Sequence, residues 1–437
     1  KYVNNKISLS QLLVYGIKNN WINLDNLEID NNYYSSEEVF QKLVSYIVDE
    51  IQDDSKFDKK VYHSMVDSGV LSGREICLLL YDQKVLKKKI STYQKLQAGM
   101  ISPYSFLKSK IRSLEISAGD LGLTPCSCAV IVTDVKTGKV KALTSYPSYD
   151  NNKFANSVDA DYYAKISTSS ASPLLNRATQ QKAAPGSTFK MVTATTALEE
   201  GIINPYTRIH DGVQFNKINK PWPKCWSTYS HGNINVSQAI QHSCNYFFYE
   251  MGYRLGNGHN TLVDNEKGLS KLKKYAEKYG LTEKSGIELP EAEPTFSDVD
   301  VVRSAIGQGS HSYTPVQMSR YVTTIANGGT CFDLTLIQKI KDAKSKTQDK
   351  KLSNVRNKLN FQSSTLTAIK TGMKNVVQAG SIKSLFNNVN VTVAGKTGTA
   401  QITNNEPNHA LFVSFAPYEN PEISITVVIP NGFSSSN

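Results

Sequence analysis

Apolar residues in the first quarter of the chain recur at helical spacing. Ser35-Ser36-Glu37-Glu38 stands ahead of Val39, Phe40, Leu43, Ile47 and Ile51, which predicts a helix opened by a capping box. Ser72-Gly73-Arg74-Glu75 repeats the signal ahead of Ile76 to Tyr81. Residues 1–118 therefore read as a mainly helical accessory or linker region, and no constellation of reactive side chains stands in it. The period changes near residue 125. Cys126 to Thr133 and Val140 to Ser145 are β-rich runs, joined by Asp134-Val135-Lys136-Thr137-Gly138-Lys139 as a hairpin with a glycine-containing turn. Helical patterns dominate from about 185 to 330, and strands return at Val389–Ile402, Ala410–Pro417 and Glu422–Ile429. Strands, then helices, then an antiparallel hairpin predict an α+β fold over residues 119–437, an antiparallel sheet flanked by helices.

Composition changes this picture little. A chain of 437 residues, 40% hydrophobic and 20% charged, holds two or three domains with a sizeable core and is not disordered on a large scale. The net charge of +11 suggests an anionic partner. Much of it is local: Lys339, Lys341, Lys344, Lys346, Lys350, Lys351, Arg356 and Lys358 crowd one short segment. No aromatic residues interleave with them, so an exposed basic loop or hairpin is expected and nucleic acid is not. No apolar run reaches the roughly 18 residues that span a bilayer. The opening Lys1-Tyr2-Val3 reads as part of a longer protein, so any anchor is expected upstream. Six cysteines in a chain of this size do not describe a disulfide framework.

Three short motifs carry chemistry. In Ala184-Pro185-Gly186-Ser187-Thr188-Phe189-Lys190 a serine and a lysine lie one helical turn apart, at the start of an apolar helix. A serine hydroxyl is a poor nucleophile until a base removes its proton, and a neutral Lys190 could do so. Ser243-Cys244-Asn245 follows, then Lys396-Thr397-Gly398-Thr399 on a strand. Each has a role in acyl transfer. Ser187 attacks a carbonyl, Ser243 relays a proton to the leaving nitrogen, and Asn245 holds Lys190 and a substrate amide. Lys396 attracts a substrate carboxylate, Thr397 belongs to the same strand motif, and Gly398 lets an extended substrate lie along the strand edge. The backbone N–H groups of Ser187 and Thr399 form an oxyanion hole. Any one motif occurs by chance; all three in this order are specific. Gly307-Gln308-Gly309 lacks the third glycine and the preceding strand of a dinucleotide site.

From these residues the chain resembles the penicillin-recognising serine transpeptidases, in particular the class B penicillin-binding proteins. The resemblance runs over roughly residues 120–437 and includes Asp134-x-x-Thr137-Gly138, Ser145-Tyr146-Pro147-Ser148-Tyr149-Asp150, Asn176-Arg177-Ala178, Gly307-Gln308-Gly309 and Gly372-Met373. It implies a membrane-anchored, extracytoplasmic enzyme of cell-wall synthesis that forms an acyl-enzyme on Ser187 from D-alanyl-D-alanine stem peptides. That acyl group would pass to an acceptor amine, β-lactams would acylate the same serine, and a membrane glycosyltransferase would be its partner. The N-terminal region departs from a complete family pedestal, and the chain stops at Asn437, where the family usually continues into a helix packed on the sheet.

Cys244 lies inside the second motif, with Cys225 and His231 shortly before it and Asp211 further upstream. Two thiolates and an imidazole suit a closed structural zinc site. Buried ordinary thiols and a Cys225–Cys244 disulfide are the alternatives. The run Lys224-Cys225-Trp226, His231-Gly232, Ser243-Cys244 is similar to elongation-type members of class B. Mapped through that resemblance, the zinc ligands would be Asp211, Cys225, His231 and Cys244, pinning the loop that carries Ser243 and Asn245; acyl transfer itself would need no cofactor. Cys77 and Cys331 read as core residues, Cys126 and Cys128 as a buried pair, and Trp222 and Trp226 as fillers around the site. The rival readings are a serine β-lactamase, for which no deacylating acid can be identified beyond a solvent-facing Glu199-Glu200, and a β-lactam sensor that binds without turnover.

Overall fold

In the computed structural model, which describes residues 6–19, 21, 27, 34–52, 54–87, 89–113, 115–116, 127–169, 171–342, 347–349, 353–400 and 408–432, both expected serine caps form. Ser35 N–H donates to Glu38 Oε2 at 2.8 Å while Glu38 N–H donates to Ser35 Oγ at 3.3 Å. Ser72 and Glu75 repeat the exchange at 2.7 and 3.3 Å. The helices they open run Ser36–Ile51 and Gly73–Asp82. The chain divides into two compact units, Lys1–Leu121 and Gly122–Asn437. Described residues of the first unit are helical, with a small core of Cys77, Leu80, Tyr81, Leu86, Leu96, Phe106 and Ile116.

The second unit is built on five antiparallel strands: β1 (Cys128–Asp134), β2 (Val140–Tyr146), β3 (Ala394–Ala400), β4 (His409–Ala416) and β5 (Ile423–Ile429). Their spatial order is β2–β1–β5–β4–β3, so the early hairpin joins the late strands through β1 and β5, with Val130 opposite Val427. The β1–β2 turn forms because Asp134 Oδ1 accepts the N–H groups of Lys136 and Thr137 and the Thr137 hydroxyl, at 2.9–3.1 Å. The third strand is shorter than the sequence pattern predicts. Val389 and Val391 are exposed and precede it, because only Ala394 to Ala400 find ladder partners on β4; Ile402 lies outside the described residues. The lysine-rich segment is a small antiparallel hairpin where described, Ile340 pairing with Asp349, with Lys339 and Lys341 exposed. Lys344, Lys346, Lys350 and Lys351 lie outside the described residues, as does Cys126.

Helices pack on this sheet: α1 (Lys190–Glu199), α2 (Val236–Gln241), α3 (Asn245–Leu255), α4 (Pro315–Ala326) and α5 (Ser363–Ala379). Helix α1 is buried from Lys190 to Leu198, so it has no polar face for solvent. Its threonines are tolerated inside because Thr195 and Thr196 donate back to the carbonyls of Met191 and Val192 at 2.8 and 2.9 Å. Helix α4 starts at a Thr314–Gln317 capping box with Pro315 in its first turn and is also buried throughout. It is tied to the sheet by Thr133–Ser319 and Thr323–Ser424 hydroxyl pairs at 2.8 and 2.6 Å. The main core gathers Met191, Val192, Phe247, Met251, Ile325, Ile369, Val413 and Phe415. Phe415→Ala empties a site that is 1% exposed. It is expected to lower unfolding stability by about 3–5 kcal/mol, read as a fall in the urea midpoint.

Candidate active site

Three elements converge on one hydroxyl. Ser187 sits in a 3₁₀ turn, Gly186–Phe189, that feeds α1, and Lys190 is the first residue of the helix. Gly186 has φ +50°, and a Cβ there would lie 2.6 Å from the carbonyl oxygen of Thr399. Only glycine lets the nucleophile turn come this close to β3. The second motif spans the break between α2 and α3. Cys244 caps α3, with its Sγ accepting the Phe247 N–H at 3.4 Å. Ser243 is held at φ +51°, a conformation non-glycine residues avoid, and it points inward under that strain.

The fully buried Lys190 donates to the Ser243 carbonyl at 2.7 Å, to Asn245 Oδ1 at 2.6 Å and to Ser243 Oγ at 3.2 Å. Lys396, equally buried on β3, donates to the same Ser243 Oγ at 2.9 Å and to the Thr397 carbonyl at 2.8 Å. A hydroxyl that accepts from two amines has used both lone pairs and keeps its own proton to give away. Neither lysine has a carboxylate partner among the described residues. Burial pushes Lys190 down to about 8, although the sulfurs of Cys244 and Cys225 behind it oppose the shift. Burial, and then the charge of Lys190, push Lys396 well below the usual lysine range. At neutral pH the pair is thus poised to release a proton, and a neutral Lys190 has a lone pair to accept one.

Ser187, Ser243, Asn245, Thr397 and Thr399 line one cavity of about 960 Å³. Gly398 does not face it. A Cβ on Gly398 would lie 2.8 Å from Thr188 Cγ2 and 2.9 Å from the Pro185 carbonyl, so this glycine closes the strand onto the nucleophile turn. The strand face bearing Thr397 and Thr399 lines the cavity. Lys224, Tyr249, Arg303, Gln308 and Asn408 also line the cavity and were not singled out from sequence for this role. Lys224 and Gln308 carried a signal, inside Lys224-Cys225-Trp226 and Gly307-Gln308-Gly309. The described lining contains no carboxylate. Glu199 and Glu200 lie at the end of α1, roughly 18–20 Å along the helix from Ser187. They are half-buried rather than solvent-facing: Glu200 accepts from Lys274 and the Tyr275 hydroxyl at 2.7 and 2.9 Å, and Glu199 from the Gln362 N–H at 3.1 Å.

Behind the second motif, Asp211, Cys225, His231 and Cys244 bring their ligand atoms within 4.8 Å of one another. A two-residue ladder, His210 opposite Asn233, sets Asp211 beside His231, and Asp211 Oδ2 lies 2.6 Å from His231 Nδ1. Cys225 Sγ lies 3.9 Å from the same nitrogen. A tetrahedral zinc separates its ligand atoms by roughly 3.3–3.8 Å, so the set fits such an ion with modest adjustment. The electrostatics also ask for a cation. Burial pushes the Asp211 carboxyl up, but N–H groups of His231 and Val213 outweigh it and hold it ionised. Cys225 is pushed down by the Cys244 thiol that donates to it, and Cys244 up by the same bond. Both cysteines are free thiols, so the disulfide alternative does not form. Cys77 and Cys331 are fully buried core residues, as expected, and Cys128 is half-buried. Trp226 departs from its expected filling role: it is 64% exposed, with its ring N–H on the His242 carbonyl at 3.1 Å.

A serine on a helix start, two buried lysines and a serine–asparagine pair around one cavity define a serine acyl-transfer centre. The chain belongs to the family of the penicillin-binding protein transpeptidase domain, whose model matches residues 128–437. It is 31% identical over 343 residues to peptidoglycan D,D-transpeptidase MrdA of Haemophilus influenzae, covering 71% of this chain and 50% of that protein. Among solved structures it is similar to penicillin-binding protein PBP2 of Helicobacter pylori, with TM-score 0.61, 28% identity, and 71% of this chain and 57% of that one covered. It is likewise similar to penicillin-binding protein A of M. tuberculosis in its penicillin G acyl-enzyme complex, with TM-score 0.61, 25% identity, and coverage of 72% and 71%. The chain spans about half the length of the curated MrdA relatives it matches. Gly398→Val is expected to push β3 off the Pro185–Thr188 turn and slow acylation by fluorescent penicillin about 10- to 100-fold, with the thermal midpoint moving only a few degrees.

Proposed function

We propose that this chain is the catalytic part of an elongation-type class B penicillin-binding protein, a peptidoglycan D,D-transpeptidase. The observation that carries the reading is the shared Ser243 Oγ, 3.2 Å from Lys190 Nζ and 2.9 Å from Lys396 Nζ at the cavity that holds Ser187. Lys190 takes the Ser187 proton as Oγ attacks the penultimate D-alanyl carbonyl. The Ser187 and Thr399 N–H groups stabilise the oxyanion. Ser243 gives its proton to the departing D-alanine nitrogen and is reprotonated from the lysine pair. An acceptor amine then attacks the ester, its proton passes back along the same path, and Ser187 is regenerated. A β-lactam follows the first half and stops there. With no carboxylate in the described lining to activate water, the acyl-enzyme should be long-lived, which favours a transpeptidase over a β-lactamase. A sensor differs only in lacking transfer to an amine.

In this reading zinc is held by Asp211, Cys225, His231 and Cys244, and with four protein ligands its part is to fix structure. It ties the Cys225 segment to the cap of α3 and so holds Ser243 and Asn245 over Lys190. The enzyme works on the outer side of the membrane, from an anchor outside this sequence. Cross-linking consumes glycan strands already polymerised, so in this reading a membrane glycosyltransferase is its partner.

Fluorescent penicillin is expected to label the wild-type chain durably and Ser187→Ala not at all; rapid loss of label would instead mean a lactamase. A stem-peptide donor joined to an amine acceptor separates enzyme from sensor. Because Lys190 acts as its neutral form and is pushed down to about 8, acylation should rise with pH through that region and fall about tenfold per unit below it. A zinc ion would displace the Cys244 proton and offset the negative charge of the cluster that holds the lysine up, so loading should move this midpoint down. Elemental analysis is expected to find one zinc per chain, and removing it should lower the thermal midpoint; a content well below one equivalent overturns the metal assignment.

A further inference from the structure

The catalytic residues account for only part of the cavity. At about 960 Å³ it lies at the upper end of ligand sites, which run roughly 300–1,000 Å³. Lys190 and Lys396 spend their charge beneath Ser243. Two other cations line the space, Lys224 and Arg303. Lys224 is exposed and has no side-chain polar partner among the described residues, while its backbone is fixed on both sides. It bridges to Gln214, its carbonyl accepts the Tyr249 hydroxyl at 3.4 Å, and the next residue is Cys225 of the metal cluster, whose N–H reaches Val213. Arg303 is held in place by Asp300 and by donating to the Pro221 carbonyl at 2.7 Å, three residues from Lys224. Asp300 offsets part of the Arg303 charge but does not line the cavity, and Trp226 follows Cys225 on the same wall.

We propose that Lys224 and Arg303 form a second carboxylate subsite, which selects donor peptides carrying an acidic residue upstream of the scissile D-alanyl-D-alanine. The inference rests on the transpeptidase reading and deepens it. A donor peptide leaving Ser187 along this wall meets the fixed Arg303 guanidinium, the exposed Lys224 amine, no carboxylate in the described lining, and the exposed Trp226 ring for its apolar parts. The site reads charge that is not at the peptide's C-terminus, so it discriminates between donors that the catalytic residues treat alike. Lys224 and Arg303 touch no reacting atom; they set specificity through ground-state and transition-state binding of the remote group.

The test compares two synthetic pentapeptides ending in D-alanyl-D-alanine, one with free carboxylates at its upstream acidic positions and one with carboxamides there. The wild-type chain is expected to prefer the acid form about 10- to 100-fold in kcat/KM, mostly through KM, as loss of a charge-assisted bond entails. Lys224→Glu combined with Arg303→Gln should erase or invert that preference, and Lys224→Arg should retain it. A wild-type chain that takes up fluorescent penicillin but handles both peptides equally overturns the subsite alone. A preference that survives the double variant does the same. A wild-type chain that neither binds penicillin nor turns over either peptide overturns the transpeptidase reading and the subsite with it.

Discussion

Two lysine amines buried within reach of one serine hydroxyl are the constraint from which the rest of this unit follows. A buried ammonium without a carboxylate is costly, and two close together cost more, so the pair gives up proton affinity. That loss is what the proposed role of Lys190 as the base for Ser187 requires. The arrangement survives because each amine finds acceptors, Lys190 at Ser243 and Asn245, Lys396 at Ser243 and its own strand. Helix α1, the α2–α3 break and strand β3 must therefore meet within tenths of an ångström.

The surrounding structure serves that meeting. Glycine at 186 and at 398 brings the nucleophile turn against β3 from two sides, one at the Thr399 carbonyl and one at Pro185 and Thr188. Burial of α1 on every face removes any freedom to rock Lys190 outward. Ser243 is held in a left-handed conformation that the chain would abandon if its neighbours did not fix it. The Asp211–Cys225–His231–Cys244 cluster lies directly behind, and two of its members flank cavity-lining residues. One stretch of chain therefore joins the strained serine to the Lys224–Trp226 wall.

Much of this was legible before any coordinates. Serine caps, the Asp134–Gly138 turn and the alternating runs of β1, β2, β4 and β5 depend on neighbours within a few positions, and they form as read. Family membership follows the three motifs, which the match over residues 128–437 bears out. The errors lie where contacts are long-range. Val389 and Val391 look like strand but find no ladder partner. Trp226 looks like filler but stands largely in solvent, held there by its ring N–H on the His242 carbonyl. Gly398 reads as room for a substrate along the strand edge, and the fold adds a second demand on it, close packing against Thr188.

By itself the sequence determined the chemistry available: which residues can attack, relay protons, neutralise charge or hold a metal, and their order along the chain. Local patterning also determined most helices and strands, since capping and alternation act over a few residues. Only the tertiary structure decided that Lys190 and Lys396 share a single hydroxyl, that Gly398 packs against Thr188, and that Lys224 and Arg303 reach the same cavity. Those outcomes depend on strand register and on helix packing between residues far apart in the chain, and no short-range pattern encodes them.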